Sequence, residues 1–363
     1  MGRKTHYFDW VIALLFLCLG AFGLFLLLTI DKALGLQQFM FLVIGFGLLY
    51  AVSRLDKAVL WWFAPVGYVL AIIFLASSFA GPSIRGATRW IFVGAVQLQP
   101  SEIVKPFILL AVARAITVWS PRNIRSFPIL MALCVLPLLL IFRQPDLGTS
   151  IIYASAFVSM ILAAGISVKL FIAATLVPGL LFPFLWHLLA PYQQNRILTF
   201  LNPGLDPRGA GYNAMQSMIA VGSGQLFGRG LGRGTQSHLR FLPEFHTDFI
   251  FATLIEELGL FGGLLLISFY AALLWRIIKP YLQGPIDDVF SYTYAIGLFG
   301  MLLVQLFINT GMNMGIVPIT GITLPFVSYG GSSLLSLSIS LGVLMALRGS
   351  RSGTDVIAIG ASD

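Results

Sequence analysis

Long apolar runs follow one another along most of this chain, separated by short polar connections. The first opens at Trp10 and reaches Ile30 without a charged residue. Similar runs with few charges cover residues 37–53, 58–80, 103–119, 127–142, 149–164, 170–190, 249–278, 290–310 and 324–347. About 20 apolar residues is the length at which a helix crosses a bilayer. The pattern predicts an all-α polytopic membrane protein with about ten transmembrane helices. The shorter runs imply local thinning of the bilayer or burial among neighbouring helices. The run after Asp9 is long for a signal peptide and lacks a small-residue cleavage site, so it is read as an uncleaved first span. The chain is expected to form a single integral membrane domain over residues 1–363.

One connection is long. Residues 191–247 are expected to form one large extracytoplasmic loop, and nine glycines fall between Gly204 and Gly234. Tyr212, Met215, Met218 and Ile219 recur at helical spacing, with Asn213, Gln216 and Ser217 between them. This predicts a short amphipathic helix lying in the outer interface. No internal repeat shares a motif, which weakens a transporter reading built on inverted repeats. Residues 349–363 form a short cytoplasmic tail, expected to be disordered.

Composition agrees with the bilayer. Hydrophobic residues are 58% of the chain and charged ones 10%, against about 25% charged in a soluble domain. The net charge of +8 would hint at nucleic acid on a soluble protein. Here most Lys and Arg lie at span ends, where topology accounts for them, and no nucleic-acid partner is implied. With the N-terminus inside, Arg3, Lys4, Arg54, Lys57, Arg114, Arg122, Arg125, Lys169, Arg276, Lys279, Arg348 and Arg351 face the cytoplasm. Only Lys32, Arg85, Arg89, Lys105 and Arg143 fall in short outer connections. Twelve against five puts both termini in the cytoplasm. Cys18 and Cys134 fall inside apolar segments, so no disulfide framework is implied.

Charges that a bilayer ought to exclude carry the functional information. They gather toward the outer face. Arg89-Trp90 precedes Gln99-Pro100-Ser101-Glu102 and Lys105, where Ser101 reads as an N-cap and Glu102 with Lys105 as an interfacial ion pair worth under ~1 kcal/mol. Pro106 fits that helix poorly. In Arg143-Gln144-Pro145-Asp146-Leu147-Gly148-Thr149, Asp146 reads equally as a helix cap or a working acid. Tyr192, Gln193 and Arg196 open the long loop. The segment Gly228-Arg229-Gly230-Leu231-Gly232-Arg233-Gly234-Thr235 matches no nucleotide-binding fingerprint. Its glycines and arginines could still grip an anion together, or form a floppy interfacial loop. Glu244, His246 and Asp248 share one membrane edge, more acids than a helix cap requires. Glu256 and Glu257 lie two turns deeper and need partners. The broken stretch from Asn309 through Pro318 and Pro325 to Ser328-Tyr329-Gly330-Gly331-Ser332 reads as a re-entrant turn or the wall of a wet cavity.

Taken in order, these clusters resemble one family over about residues 80–347. The set adds Gly86, Gly211-Tyr212, Gln216-Ser217, Gly222-Ser223-Gly224 and Glu256-Glu257-Leu258-Gly259 to those above. It resembles the shape, elongation, division and sporulation (SEDS) family of bacterial peptidoglycan polymerases. Gln-Pro-Asp-Leu-Gly-Thr at 144–149 and Phe241-Leu242-Pro243-Glu244-Phe245-His246-Thr247-Asp248 resemble its elongation (RodA) type more than its division (FtsW) type. The resemblance implies a ten-span glycosyltransferase of the bacterial cytoplasmic membrane. It would polymerise lipid II at the outer leaflet during cell elongation, beside a class B penicillin-binding protein that crosslinks the strands. It ties the residue at Asp248 to catalysis and those at Arg89, Trp90, Glu102, Lys105, Asp146 and Arg196 to the same outer cavity. Mg or Mn is implied as a possible cofactor, although no metal-ligand spacing is present.

The residues suit that chemistry. Inverting transfer from a lipid diphosphate needs a base for the acceptor proton and cations for the leaving group. Asp248 is the candidate base. Arg196, Arg229 and Arg233 are candidate diphosphate contacts, with Lys105 a further one, and His246 and Ser328 are expected to support the site. Two other readings remain: a lipid II flippase, and a non-catalytic scaffold for a penicillin-binding protein.

Overall fold

The computed structural model describes residues 8–81, 89–93, 96–122, 125–166, 186–187, 191–202, 204, 206, 209–239, 241–282 and 286–349. The regular structure of the described residues is helical apart from one small hairpin, in which β1 (Ile91–Val93) pairs antiparallel with β2 (Val96–Leu98). Helices α1 (Trp10–Ile30), α2 (Lys32–Ser53) and α3 (Lys57–Ser77) come first. After the hairpin come α4 (Pro100–Ile103), α5 (Lys105–Val118), α6 (Phe127–Arg143) and α7 (Leu147–Ala163). The segment expected to lie outside holds α8 (Pro191–Leu201), α9 (Ala210–Gly224) and α10 (Thr235–His238). Helices α11 (Ile250–Leu282), α12 (Val289–Asn313) and α13 (Gly331–Gly349) complete the bundle. Among the described residues, six helices are long and apolar enough to cross a membrane. The expected span over 170–190 and the tail lie largely outside the described residues.

Burial runs opposite to that of a soluble protein. Trp10, Trp62, Phe25, Phe39 and Ile73 are exposed along α1–α3, whereas Asp9, Gln38, Glu102, Lys105, Asp146, Glu256, Glu257, Asn309 and Asn313 are buried. Apolar side chains facing outward and polar ones facing inward are what lipid solvent selects. The chain is a multi-pass membrane protein.

Close helix contacts use small residues, as expected where hydrophobicity cannot drive association. A Cβ on Gly342 of α13 would meet Leu49 O of α2 at 2.9 Å. At the end expected to be cytoplasmic, Asp9 caps α1 and pairs with Arg276 Nε at 2.9 Å and Arg348 at 3.8 Å. The first helix is thereby tied to α11 and α13.

Several boundaries differ from expectation. The second span begins at Lys32, since Asp31 caps it through Ala33 N and Leu34 N. The last helix starts at Gly331, and residues 325–329 form turns and bends. Ser101 is not an N-cap: α4 starts at Pro100 behind Gln99, and Ser101 Oγ has no hydrogen-bond partner among the described residues. The helix breaks at Val104 and restarts at Lys105, which places Pro106 in a first turn where its missing N–H costs nothing.

Helix α11 is two helices. Its 33 residues are too many for one crossing, about 50 Å against a hydrocarbon core of about 30 Å. Gly259 breaks it at φ 69°, ψ −169°. The loop after α9 splices into the gap. Glu256 O and Glu257 O accept from Arg229 N (2.9 Å) and Gly230 N (3.0 Å), while Leu260 N and Phe261 N donate to Gln225 O (2.9 Å) and Leu226 O (3.2 Å). The backbone groups freed by the break are thus satisfied from outside the helix. A Cβ at 259 would lie 2.3 Å from Gly228 N and 2.5 Å from Leu226 O. Gly259→Ala is expected to lower the thermal midpoint of detergent-purified protein by roughly 5 °C or more. An unchanged melting curve would show that the splice is dispensable.

Candidate active site

The turn ahead of α11 carries Asp248. Glu244 stands in the left-handed region at φ 54°, and its carbonyl accepts from Thr247 N, Asp248 N and Phe249 N at 3.1, 3.2 and 3.3 Å. Other elements hold the turn by its main chain. Ser328 Oγ donates to Thr247 O at 2.6 Å, and Tyr329 N donates to His246 O at 2.8 Å. Asn309 and Asn313 of α12 both donate to Asp248 O, at 3.0 and 3.1 Å. The Asp248 carboxylate receives no backbone N–H among the described residues, so it is not the helix cap that its position permits. It stays partly accessible. Gly321, in the left-handed region at φ 74°, stands opposite it, where a Cβ would sit in ordinary contact at 3.4 Å from Asp248 Oδ2.

Charge around this carboxylate is mixed. Burial pushes its pKa up to about 6, and Glu244 and then Asp146 act in the same direction, against Arg89 and Arg196. Two cations therefore face the acid while it remains protonatable near neutrality.

Asp146 does two jobs at once. Its Oδ1 caps α7 through Thr149 N at 3.0 Å. Its Oδ2 accepts from Gln99 Nε2 at 3.2 Å and lies 3.7 Å from Arg89 Nη1. Trp90, half-buried, leads from Arg89 into β1. Arg196, on α8, donates through Nη1 to Thr320 O at 3.1 Å, beside Gly321. Arg89, Asp146 and Arg196 are thus drawn around Asp248 from three separate parts of the chain.

Glu102 and Lys105 are not an interfacial pair. Lys105 is fully buried, and its Nζ lies 2.7 Å from both carboxylate oxygens of Glu102. The turn between α4 and α5 is sealed by this bidentate contact, which removes Lys105 as a free cation for a diphosphate. Beneath it the buried Tyr153 donates to Ser101 O at 2.8 Å.

The arginine–glycine segment is neither floppy nor an open anion cradle. Most of its N–H groups are spent inside the protein. Gly232 N donates to Glu257 Oε2 at 3.0 Å, and Thr235 N and Gln236 N donate to Glu256 Oε1 at 2.7 and 3.0 Å. His238 Nε2 lies 2.9 Å from Glu257 Oε1. The two buried acids have their partners here, and the loop is their counterpart. Arg229 and Arg233 are exposed beside that lock. It lies eight residues along the helix from Asp248, about 12 Å at 1.5 Å per residue. They are not drawn to Asp248.

His246 lies under Tyr329, ring centroids 5.7 Å apart, and burial lowers its pKa. Ser328 touches the turn's backbone, which makes it a support. Tyr153 and Asn313 join the site from outside the sequence clusters, and Gln99 and Asn309, which stand in those clusters, gain defined contacts there. The i, i+4 spacing of the two asparagines on one face of an apolar span was the signal available. Among the described residues no three His, Cys, Asp or Glu side chains converge on a metal position. Of the acids near Asp248, Asp146 is engaged by Gln99 and Arg89.

A cavity of about 160 Å³ adjoins the site, with Arg196 on its wall. The rest of its lining is mainly apolar, including Phe200, Met218, Met312, Val317 and Ile319.

The profile of the FtsW/RodA/SpoVE cell cycle protein family matches residues 8–353. The peptidoglycan glycosyltransferase MrdB of Escherichia coli K12 is 40% identical over 309 residues, covering 84% of this chain and 83% of that protein. The peptidoglycan glycosyltransferase RodA of Treponema pallidum is 31% identical, covering 95% of this chain and 98% of its own. Among solved structures, a chain of a peptidoglycan synthase complex that coordinates polymerization and crosslinking superposes with TM-score 0.79 at 29% identity, covering 95% of this chain and 99% of that one. The rod shape determining protein RodA of Thermus thermophilus superposes with TM-score 0.71 at 26% identity, covering 95% and 98%. With the profile spanning nearly its whole length and relatives this similar over most of theirs, the chain belongs to the FtsW/RodA/SpoVE family of cell cycle proteins.

Proposed function

We propose that this chain is a peptidoglycan glycosyltransferase of the RodA type. It polymerises lipid II at the outer face of the bacterial cytoplasmic membrane, with both termini in the cytoplasm. The observation that carries the proposal is the Asp248 carboxylate, partly accessible at the mouth of the bundle, with Arg89 and Arg196 as its facing cations. The acceptor sugar hydroxyl attacks the anomeric carbon of the donor. The carbon–oxygen bond to the diphosphate breaks as the new glycosidic bond forms. Asp248 takes the hydroxyl proton, and Arg89 and Arg196 hold the negative charge of the departing diphosphate. Glu102 with Lys105 and Asp146 with Gln99 hold the walls. The apolar cavity beside Arg196 suits the first isoprenoid carbons of a lipid whose diphosphate meets that arginine. A class B penicillin-binding protein is the proposed partner, in keeping with the synthase complex to which the fold is similar.

The test is purified protein, lipid II and a gel that resolves glycan strands, with and without the partner. Strands support the enzyme. Lipid II moved across vesicles with no strands formed identifies a flippase, and neither outcome leaves a scaffold. The base must be ionised to act, so the maximal rate is expected to rise with pH through about 6 and level off above it. A rate flat from pH 5 to 8 would remove a group with that pKa from the rate-limiting step.

A further inference from the structure

We propose that Asn309 and Asn313 are positioning residues that set the placement of Asp248 by clamping its main-chain carbonyl. The inference rests on the glycosyltransferase reading of the site. Both asparagines are fully buried, four residues apart on one face of α12. Their amide nitrogens converge on the same oxygen, Asp248 O. Each is held by a further contact. Asn309 Nδ2 also donates to Ile322 O at 2.6 Å, next to the Gly321 that faces the Asp248 carboxylate. Asn313 Nδ2 also donates to Asn309 O at 2.7 Å, and its Oδ1 accepts from Ala252 N at 3.1 Å, an N–H of the first turn of α11 that has no partner within its own helix. Ser217 of α9 closes the network by donating to Asn313 O at 2.9 Å.

A buried polar group of this kind usually serves only to satisfy its neighbours. Here two of them spend their donors on the backbone of the proposed base, at the junction between its turn and its helix. The side chain of Asp248 leaves the chain one bond from the clamped peptide. Losing one amide frees that peptide to tilt. A displacement of about 1 Å at a reacting group can cost of the order of a hundredfold in rate. The charged groups that sense such a tilt are Glu244, Asp146, Arg89 and Arg196.

The test uses Asn309→Leu, which keeps the volume and removes the donors, and Asn309→Gln, which keeps an amide one methylene further out. Thr310→Val is the control, because Thr310 bonds only to its own helix. Two readouts are taken on full-length protein in detergent. One is kcat and KM for lipid II. The other, independent of activity, is the pH midpoint of Asp248 ionisation, read as the difference in thermal midpoint between each protein and its Asp248→Asn partner across pH 4–8. Asn309→Leu is expected to lower kcat by about ten- to a hundredfold with KM within about threefold, and to move the ionisation midpoint. Asn309→Gln is expected to fall between it and the parent, and Thr310→Val to change neither readout. An ionisation midpoint unchanged in Asn309→Leu overturns the clamp, whatever the activity. So does a loss of kcat matched by Thr310→Val at equal loss of stability. A parent that makes no strands overturns the glycosyltransferase reading instead, and the ionisation midpoint still decides the clamp.

Discussion

Asp248→Asn is expected to lower lipid II polymerisation by at least about a hundredfold while the protein expresses, purifies and binds its partner as before. The magnitude is that of removing a positioned proton acceptor. The carboxamide keeps the shape but cannot take the acceptor's proton. The same substitution is expected to raise stability, and the sign can be worked out. The carboxyl titrates near 6 in the fold against about 3.9 in an unfolded chain. The fold therefore favours the protonated form. That stability is fully present below about pH 4 and is lost as pH rises through about 6. An asparagine never ionises, so the variant keeps what the parent loses, up to roughly 3 kcal/mol. Thermal midpoints of the two proteins are expected to coincide near pH 4 and to separate by pH 7, with the variant higher. Glycan strands of normal length from Asp248→Asn would remove this residue from the chemistry. A variant less stable than the parent at pH 7 would mean that the arginines, and not burial, dominate at this carboxyl.

Lys105→Met is expected to be among the most destabilising single changes in the chain. Lys105 is sealed in the bundle with both oxygens of Glu102 on its ammonium. Removing one partner of a buried pair leaves the other charge uncompensated, at about 3–5 kcal/mol. Methionine fills most of the space, so the loss is electrostatic and not a cavity. The companion change Glu102→Gln removes the stranded charge, and the double variant is expected to recover most of the stability. Thermal unfolding of the four proteins in detergent gives the coupling directly. A double variant as unstable as Lys105→Met would show that packing, and not charge, holds the break between α4 and α5. Its activity is a separate question, because that break supports Gln99, the residue that donates to Asp146.

Much of this molecule is legible along the chain because a bilayer imposes a severe grammar. A run such as 10–30 has one stable solution in hydrocarbon, a helix that satisfies its own backbone. Charges in such runs are costly enough to mark function or close pairing. Lys105 lies in such a run, Glu102, Asp146 and Asp248 lie at run edges, and the family resemblance ties them with Arg89 and Arg196 to one outer cavity. Local signals also carry over where the partner is a few residues away. Asp146 caps α7 as its spacing predicts, and Glu102 meets Lys105 three residues on.

What linear spacing does not determine is which distant surface each polar group meets. The pair at 102 and 105 was expected, but its depth was not, because depth depends on the helices packed around it. The segment 228–235 has the composition of an anion cradle, yet many of its N–H groups are consumed by Glu256, Glu257 and the broken helix at Gly259. Nothing within either segment announces the other. Asn309 and Asn313 look like helix-breaking neighbours on paper and become a clamp only because α12 runs beside the Asp248 turn. The sequence by itself determined the solvent of this protein, its helices and the acids and cations available for chemistry, since each follows from local apolar length and local charge. Tertiary structure alone decided which cations face Asp248 and which are spent elsewhere. Those pairings join residues as far apart as Arg196 and Thr320, and only the packing of helices sets such distances.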